Sequence, residues 1–267
     1  MMNDRDKELI LLFANKNGRG CDAVKLTIVG QWGGFPKRGG ASSGYLLEHD
    51  GYRLLLDCGS AVLSKLQNYV HVINIDAVIL SHYHTDHIAD IGVLQHAIMI
   101  ESLVQEQTFT IPIYGHTREM QAFQKLTYKD YTVAKEYDVN EQLQIGPFTI
   151  EWIETLHSVP CFAMRIMVDG KVLVYTGDTA YFEQLADFSE NADVLLSECN
   201  FYKGMDGAKA GHMTSEDVGI VAQTARVKQV VLTHLPHFGE VQQLISEVKE
   251  QYDGHVLLAE EGLTIEI

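Results

Sequence analysis

Downstream of residue 24 the chain alternates short apolar runs with turn-forming residues, the pattern of a strand-rich fold. The first run with strand character covers residues 24–29. Runs at 45–49 and 52–57 flank Asp50-Gly51, a pair that favours a tight hairpin turn, so these two runs are predicted to pair. Positions 75–80 form an apolar run suited to a buried strand, and it leads directly into a histidine cluster at 82–87. Beyond it, Ile88, Ile91, Leu94 and Ile98 recur at helical spacing, so the cluster is expected to cap a strand and open a helix.

The second half repeats this logic. Positions 148–153 form a strand-like run leading to His157. Runs at 162–168 and 171–176 flank a second pair, Asp169-Gly170, and predict a second hairpin. Runs at 193–197 and 229–233 end at Glu198 and His234. Between them, Thr214-Ser215-Glu216-Asp217 has capping-box form, followed by Val218, Val221, Ala222 and Ala225 on one helical face. Strand-rich halves with interspersed helices predict two packed sheets with helices outside. No repeat of fixed period is visible, and one compact domain is expected over residues 24–267. Residues 1–23 fit poorly with it. They are polar around Asn15-Lys16-Asn17-Gly18 and are expected to be a disordered extension, or an upstream reading of a chain whose working start lies near Val24.

Composition narrows the partners. The 267 residues are 46% hydrophobic and 21% charged, as in ordinary globular proteins. A net charge of −16, with its densest basic spot only Lys37-Arg38, argues against a long nucleic acid, which calls for a basic stripe. A small anionic substrate stays open, because metal ions would offset the acidity locally. Cys21, Cys58, Cys161 and Cys199 form no C-x-x-C pair and read as reduced thiols. No apolar run approaches the roughly 20 residues that span a bilayer, and positions 9–14 are too short for a signal core. No membrane association and a cytoplasmic location are expected.

The candidate chemistry centres on His82-Tyr83-His84-Thr85-Asp86-His87, three imidazoles and a carboxylate at a strand-to-helix turn. On extended chain, positions two apart point the same way, which suits His82 and His84 for one ion; the turn that follows redirects Asp86 and His87 towards a second. His157, Asp178 and His234 each follow a strand-like run, where sites tend to collect. Such mixed nitrogen and oxygen ligands fit two divalent ions, zinc first, with manganese or iron as alternatives. Two ions about 3.5–4 Å apart activate water and polarise a substrate oxygen without a protein nucleophile. No G-x-S-x-G element competes with this reading.

Over residues 24–267 this combination resembles the metallo-β-lactamase superfamily. The resemblance implies an α+β fold, a four-layer αβ/βα sandwich. It implies one ion on His82, His84, His157 and Asp178, and another on Asp86, His87, His234 and the bridging Asp178. Asp57-Cys58-Gly59 matches the family's early D-x-G element, whose Asp orients ligands. Leu196-Ser197-Glu198-Cys199-Asn200 and Gly211-His212-Met213-Thr214 resemble motifs of the ribonuclease Z and phosphodiesterase branch. Carried over, His212 is the candidate acid and Glu198 its partner, with Asp86 counted as catalytic as well as ligating. A helix opening just after His212 is expected to offer its N-terminus to an anion.

One departure bears on the substrate. Many bacterial tRNA-processing members carry a long arm between the residues matching His157 and Asp178; here only 21 positions separate them. A small phosphodiester or cyclic nucleotide, hydrolysed by metal-activated water, is therefore expected in preference to a tRNA precursor. The alternatives are a thioester or lactone hydrolase of the same fold, then a tRNA 3′-end endonuclease, an iron-dependent dioxygenase or a non-catalytic binding module. A homodimer is compatible with the resemblance alone. His237 is a candidate substrate contact. Ser42, Ser43 and the glycines between 33 and 40 border the cleft or serve turns, the latter favoured. His49, His71, His96, His116 and His255 are read as structural.

Overall fold

The computed structural model describes residues 23–267, so the expectation for the N-terminal extension falls almost wholly outside the described residues. In chain order the strands are β1 (Lys25–Gly30), β2 (Gly44–His49), β3 (Tyr52–Leu56), β4 (Ala77–Ile79), β5 (Ile111–Gly115), β6 (Thr132–Glu136), β7 (Leu143–Ile145), β8 (Phe148–Glu154), β9 (Phe162–Val168), β10 (Lys171–Tyr175), β11 (Val194–Glu198), β12 (Gln229–Thr233), β13 (His255–Leu258) and β14 (Thr264–Glu266). Among the described residues they form two seven-stranded sheets, ordered β14-β1-β2-β3-β4-β5-β6 and β13-β12-β11-β10-β9-β8-β7. The helices are α1 (Val62–Leu66), α2 (Thr85–Ile88), α3 (Ile91–Val104), α4 (Met120–Gln124), α5 (Gln184–Phe188), α6 (Ser215–Ala225) and α7 (Gln242–Val248). None is long and apolar enough to cross a membrane.

Three apolar layers explain the order of elements. Leu26, Tyr45, Leu47, Leu54 and Leu56 of the first sheet meet Phe148, Ile150, Met164, Leu173 and Leu196 of the second in the central core. The outward residues of the first sheet, such as Leu46, Leu55 and Val78, pack on Val62 and Leu66 of α1 and on Ile91, Leu94 and Ile98 of α3. Val174, Leu195, Val230 and Leu232 of the second sheet pack on α6 and α7 through Val218, Val221, Leu244 and Val248. Helix, sheet, sheet, helix is the αβ/βα sandwich of an α+β fold. Strands covered on both faces are apolar at successive positions, which is why β3 and β12 are near-continuous runs.

Both expected hairpins are present. Asp50 and Gly51 have φ of 48° and 79°, and Asp169 and Gly170 have 49° and 75°. Two successive positive values give the turn whose twist matches the paired strands. The strands that follow run parallel, β3 through β6 in one sheet and β10 through β13 in the other. Their carboxyl ends therefore deliver their loops to one rim of the sandwich, the usual place for a site in such sheets.

The helix expected after the histidine cluster is two helices, not one. α2 is a single turn, and Ala89-Asp90 separates it from α3. Asp90 causes the break: its N–H donates to the Cys58 carbonyl at 3.1 Å and its Oδ2 accepts from Leu63 N at 2.9 Å. The break lets the short turn face the rim while α3 lies flat on the sheet.

Candidate active site

Every candidate ligand sits just beyond a strand. β4 ends at Ile79, and beyond a bend at Ser81 His84, itself in extended conformation, caps α2. Asp86 and His87 come from that turn, His157 follows β8, Asp178 follows β10 and His234 follows β12. His234 and Asp57 hold positive φ, 49° and 55°. Non-glycine residues rarely adopt this conformation, and it persists where surrounding contacts enforce it.

The structure brings all seven residues into two groups that share Asp178. In the first, His84 Nδ1 lies 3.1 Å from His82 Nε2 and 3.0 Å from His157 Nε2. Asp178 Oδ2 lies 3.6 Å from His82 Nε2 and 3.8 Å from His157 Nε2. In the second, His234 Nε2 is 3.1 Å from Asp86 Oδ2 and 3.3 Å from Asp178 Oδ2, while His87 Nε2 is 3.5 Å from Asp86 Oδ2 and 3.3 Å from Asp178 Oδ1. A tetrahedron with arms of 2.0–2.1 Å has edges of about 3.3–3.4 Å. Both groups match that spacing.

Proton placement supports the fit. The Ser81 hydroxyl donates to Asp57 Oδ2 at 2.8 Å and lies 3.0 Å from His82 Nδ1, so it is free to accept from that nitrogen. His87 Nδ1 donates to Asp57 Oδ2 at 2.7 Å, and His157 Nδ1 to the Gly211 carbonyl at 2.9 Å. With Nδ1 protonated, each ring turns a bare Nε2 lone pair into the cluster, as a metal requires. Asp57 also accepts from Tyr175 OH at 2.6 Å and Ser81 N at 2.8 Å, which holds it rigidly in a fully buried position. The Oδ1 of Asp178, buried, makes no hydrogen bond among the described residues. An acceptor left thus in the interior is costly unless a cation sits beside it. The donor set therefore fits two divalent cations.

In the metal-free chain the carboxylates draw a proton to the place that a cation would fill. Burial opposes charge on His87, but the Asp178 and Asp57 carboxylates outweigh it and push the ring well above the ordinary imidazole range. Burial, then the neighbouring His87, holds His82 well below that range. Burial would raise Asp178 and Asp86, yet His234 and His87 around them hold both below the usual carboxylate range. Both carboxylates are therefore ionised.

His212 and Glu198 meet beside this cluster. His212 Nδ1 is 2.8 Å from Glu198 Oε1, which also accepts from Thr179 N at 2.8 Å, and Oε2 accepts from Asn200 N at 3.3 Å. The His212 ring stacks on His234, with centroids 5.2 Å apart, and stands edge-on to His157 at 5.2 Å. Burial disfavours its charged form, but Glu198 and then Asp178 and Asp86 raise it to about 9. In the metal-free chain it is thus an imidazolium at neutral pH, with Nε2 left to donate.

The expected anion site at the N-terminus of α6 does not form. Thr214 caps the helix as expected, but Ser215 N donates to the Phe201 carbonyl at 2.9 Å and Asp217 N to Thr214 Oγ1 at 3.2 Å. Glu216 and Asp217 occupy the positive end of the helix with their own carboxylates. No residue of the first turn lines the cleft.

That cleft, about 360 Å³, is lined by Gly33, Gly34, Phe35, His84, Asp86, His157, Asp178, Asn200, His212, His234, His237 and Phe238. Of the glycines between 33 and 40, only Gly33 and Gly34 border it. A Cβ on Gly33 would lie 2.7 Å from His234 Cε1, so only glycine lets the loop approach this ring. Asn200, not recognised in the sequence as a site residue, donates from Nδ2 to the His234 carbonyl at 2.8 Å and so braces the left-handed residue. Its place in the motif after Glu198 was the one available signal.

With this geometry in view, residues 52–235 match the model of the β-lactamase superfamily domain. The chain belongs to that superfamily. Among curated relatives of the superfamily, the probable metallo-hydrolase YhfI of Bacillus subtilis is 48% identical over 243 residues, covering 91% of this chain and 100% of YhfI. The crystal structure of YhfI superposes with a TM-score of 0.91 at 49% identity, over 92% of this chain and 100% of that one. A ribonuclease Z of Haloarcula marismortui is 25% identical over 297 residues, 90% of this chain and 96% of its own length. A diphosphatase of the PhnP family shares the fold, with a TM-score of 0.73 at 16% identity over 91% of this chain and 98% of that one. The protein is an enzyme, a metallo-hydrolase of the β-lactamase fold.

Proposed function

We propose that the enzyme hydrolyses a small phosphodiester, a cyclic nucleotide being the leading candidate, with His212 as general acid and Glu198 as the group that orients and charges it. The observation that carries this reading is the His212–Glu198 contact of 2.8 Å at the edge of the candidate metal cluster. A thioester expels a stabilised thiolate and does not call for such a donor. A phosphodiester expels a poor alkoxide leaving group, and a placed acid assists that step by roughly 10²–10⁴-fold.

His82, His84, His157 and Asp178 would hold one ion, and Asp86, His87, His234 and Asp178 the other. Such a pair, zinc by ligand chemistry, supplies Lewis acidity at the phosphoryl oxygens and lowers the pKa of water. The remaining work falls to the chain. The imidazolium of His212 faces the cleft from the wall formed with His157 and His234, where it can donate a proton to the departing oxygen and stabilise growing charge. Glu198 keeps His212 Nδ1 protonated and thereby commits Nε2 to the substrate. Asp57 fixes the His87 ring and, through Ser81, the His82 ring.

Size supports a small substrate. The 360 Å³ cleft falls near the lower end of the range of about 300–1,000 Å³ typical of small-molecule sites. The interval between His157 and Asp178 is spent on the β9–β10 hairpin, leaving no length for an RNA-gripping arm. The relatives that process RNA and the diphosphatase share phosphate-ester or anhydride chemistry, which agrees with this reading.

The test is a substrate panel on the protein loaded with zinc or manganese: bis-p-nitrophenyl phosphate, 3′,5′- and 2′,3′-cyclic nucleotides, an acyl thioester and a pre-tRNA. Turnover of the phosphodiesters is expected, with the largest kcat/KM on a cyclic nucleotide. Turnover of the thioester alone, with the phosphodiesters untouched, contradicts the proposal.

A further inference from the structure

We propose that Phe35, backed by His237, is a stacking platform for a planar base, so that the anionic substrate of the cleft is a nucleotide rather than an aliphatic phosphoester. This rests on the phosphodiester reading for the chemistry at the phosphate, but not for the recognition of the base.

The platform is built, not incidental. The rings of Phe35 and His237 lie 3.7 Å apart and only 1° from parallel. Phe35 nevertheless remains 61% exposed, so His237 covers one face and the other is open at the mouth of the cleft. Behind His237 stands Trp32, at 5.7 Å between centroids, and Lys37 Nζ caps Trp32 at 3.9 Å. Lys37, Trp32, His237 and Phe35 thus form a row in which Trp32 is tilted by 32° to His237 and Phe35 stacks flat on it; among the described residues no second ring packs against Phe35. Phe238, 45% exposed, lines the same cleft.

The stack is tied to the candidate metal cluster through the backbone. His237 Nε2 donates to the Gly33 carbonyl at 2.9 Å, and Gly34 N donates to Asp86 Oδ2 at 2.7 Å. Phe35 N closes on the Gly33 carbonyl at 2.8 Å. Gly33 itself meets Leu235 through a 3.2 Å hydrogen bond. Phe35 is therefore one residue from a direct bond to a candidate ligand, and its position relative to the phosphate site is fixed before substrate arrives. A large apolar ring left open beside a cluster of His and Asp side chains is matched by a molecule with an anionic end and a flat apolar end. A nucleotide has both. Stacking tolerates any base, because every base has a π-face, so the platform selects for the presence of a base rather than its identity.

The metal-loaded full-length protein is titrated calorimetrically with AMP and with ribose 5-phosphate, which differ by the base, using wild type, Phe35→Ala, Phe35→Leu and Phe35→Trp. The wild type is expected to prefer AMP by roughly 5- to 150-fold, the range that a single base–aromatic stack supports. That ratio should collapse towards one in Phe35→Ala and Phe35→Leu and persist in Phe35→Trp. A residue that merely braces Asp86 would weaken both ligands together and leave the ratio unchanged, which overturns the proposal. Equal wild-type affinity for the two ligands, or no binding of either, overturns it as well. A preference for AMP that depends on Phe35, in a protein that hydrolyses no phosphodiester, upholds the platform while refuting the reaction proposed above. Hydrolysis of a phosphodiester without any preference for the base does the reverse.

Discussion

Gly33→Ala is a single-methyl test of how the candidate metal centre is held. The added Cβ would stand 2.4 Å from Asn200 Nδ2 and 2.7 Å from both Cε1 and Nδ1 of His234. Comfortable carbon contacts lie at about 3.5–4.0 Å, so something must yield by about 1 Å. The loop cannot easily retreat, because Gly33 N is bonded to the Leu235 carbonyl and Gly34 N to Asp86 Oδ2. Backbone strain is not the cause, since the φ of Gly33 lies outside the left-handed region. The His234 ring should therefore move. Metal–nitrogen distances tolerate only about 0.2 Å, so the ion assigned to Asp86, His87, Asp178 and His234 should be lost or weakened while the other stays. A misplacement of about 1 Å costs roughly 10²-fold in rate. Metal content by mass spectrometry should fall from two ions per chain towards one, and kcat/KM on the best phosphodiester should fall by roughly 100-fold. Two ions and wild-type kcat/KM in Gly33→Ala would refute the reasoning.

Further predictions concern other layers of the structure. Asp57→Asn removes the charged acceptor of His87 Nδ1, Ser81 and Tyr175; metal affinity, measured by chelator competition, should drop by roughly 10–100-fold. Glu198→Gln withdraws the main support for the imidazolium of His212, which stands at about 9 in the metal-free chain. The rate falls as pH rises through the pKa of the acid, so this descending limb should move to lower pH in the variant; a limb that stays put excludes His212 as the titrating acid. His116, buried against Tyr83, Tyr137 and Phe162, is lowered to about 4 by burial, the nearby Pro160 carbonyl offsetting only part. The unfolded chain takes up this proton near the ordinary value of about 6.5 and the folded chain only near 4. Stability is therefore whole above the unfolded value and is lost as pH falls from about 6.5 to 4, by about 2 kcal/mol after allowance for solvent screening. Urea midpoints of the metal-free protein at pH 7 and pH 5 should differ less in His116→Phe than in wild type.

The strands that bear the site were legible because burial on both faces made most of them continuous apolar runs, because the buried positions of β8 alternate, and because Asp-Gly pairs marked both hairpins. The ligands were legible because each follows such a run. β5 was not, since Pro112 interrupts it, and β6, Thr132–Glu136, carries a polar tail at the sheet edge. β7 and β14 have three residues each, too few to show a period. The helix after the cluster read as one because its apolar spacing survives the Asp90 break; the competing signal is a side-chain contact to Leu63, 27 positions away. The helix N-terminus beside His212 misled for a related reason. Capping motifs show that a helix starts, but not that a distant carbonyl, here that of Phe201, has already taken the Ser215 N–H. Gly33, Gly211 and Asn200 act through close approach to rings contributed by other segments, so their roles emerge only on folding.

Protonation by His212 of an alkoxide leaving from phosphorus makes its contribution depend on the leaving group. kcat/KM of wild type and His212→Ala should be compared on a cyclic nucleotide and on a nucleoside p-nitrophenyl phosphodiester, whose phenolate needs little protonation. If His212 is the acid, its removal costs roughly 10²–10⁴-fold on the first and far less on the second. An equal loss on both substrates, or no loss on either, would contradict that role.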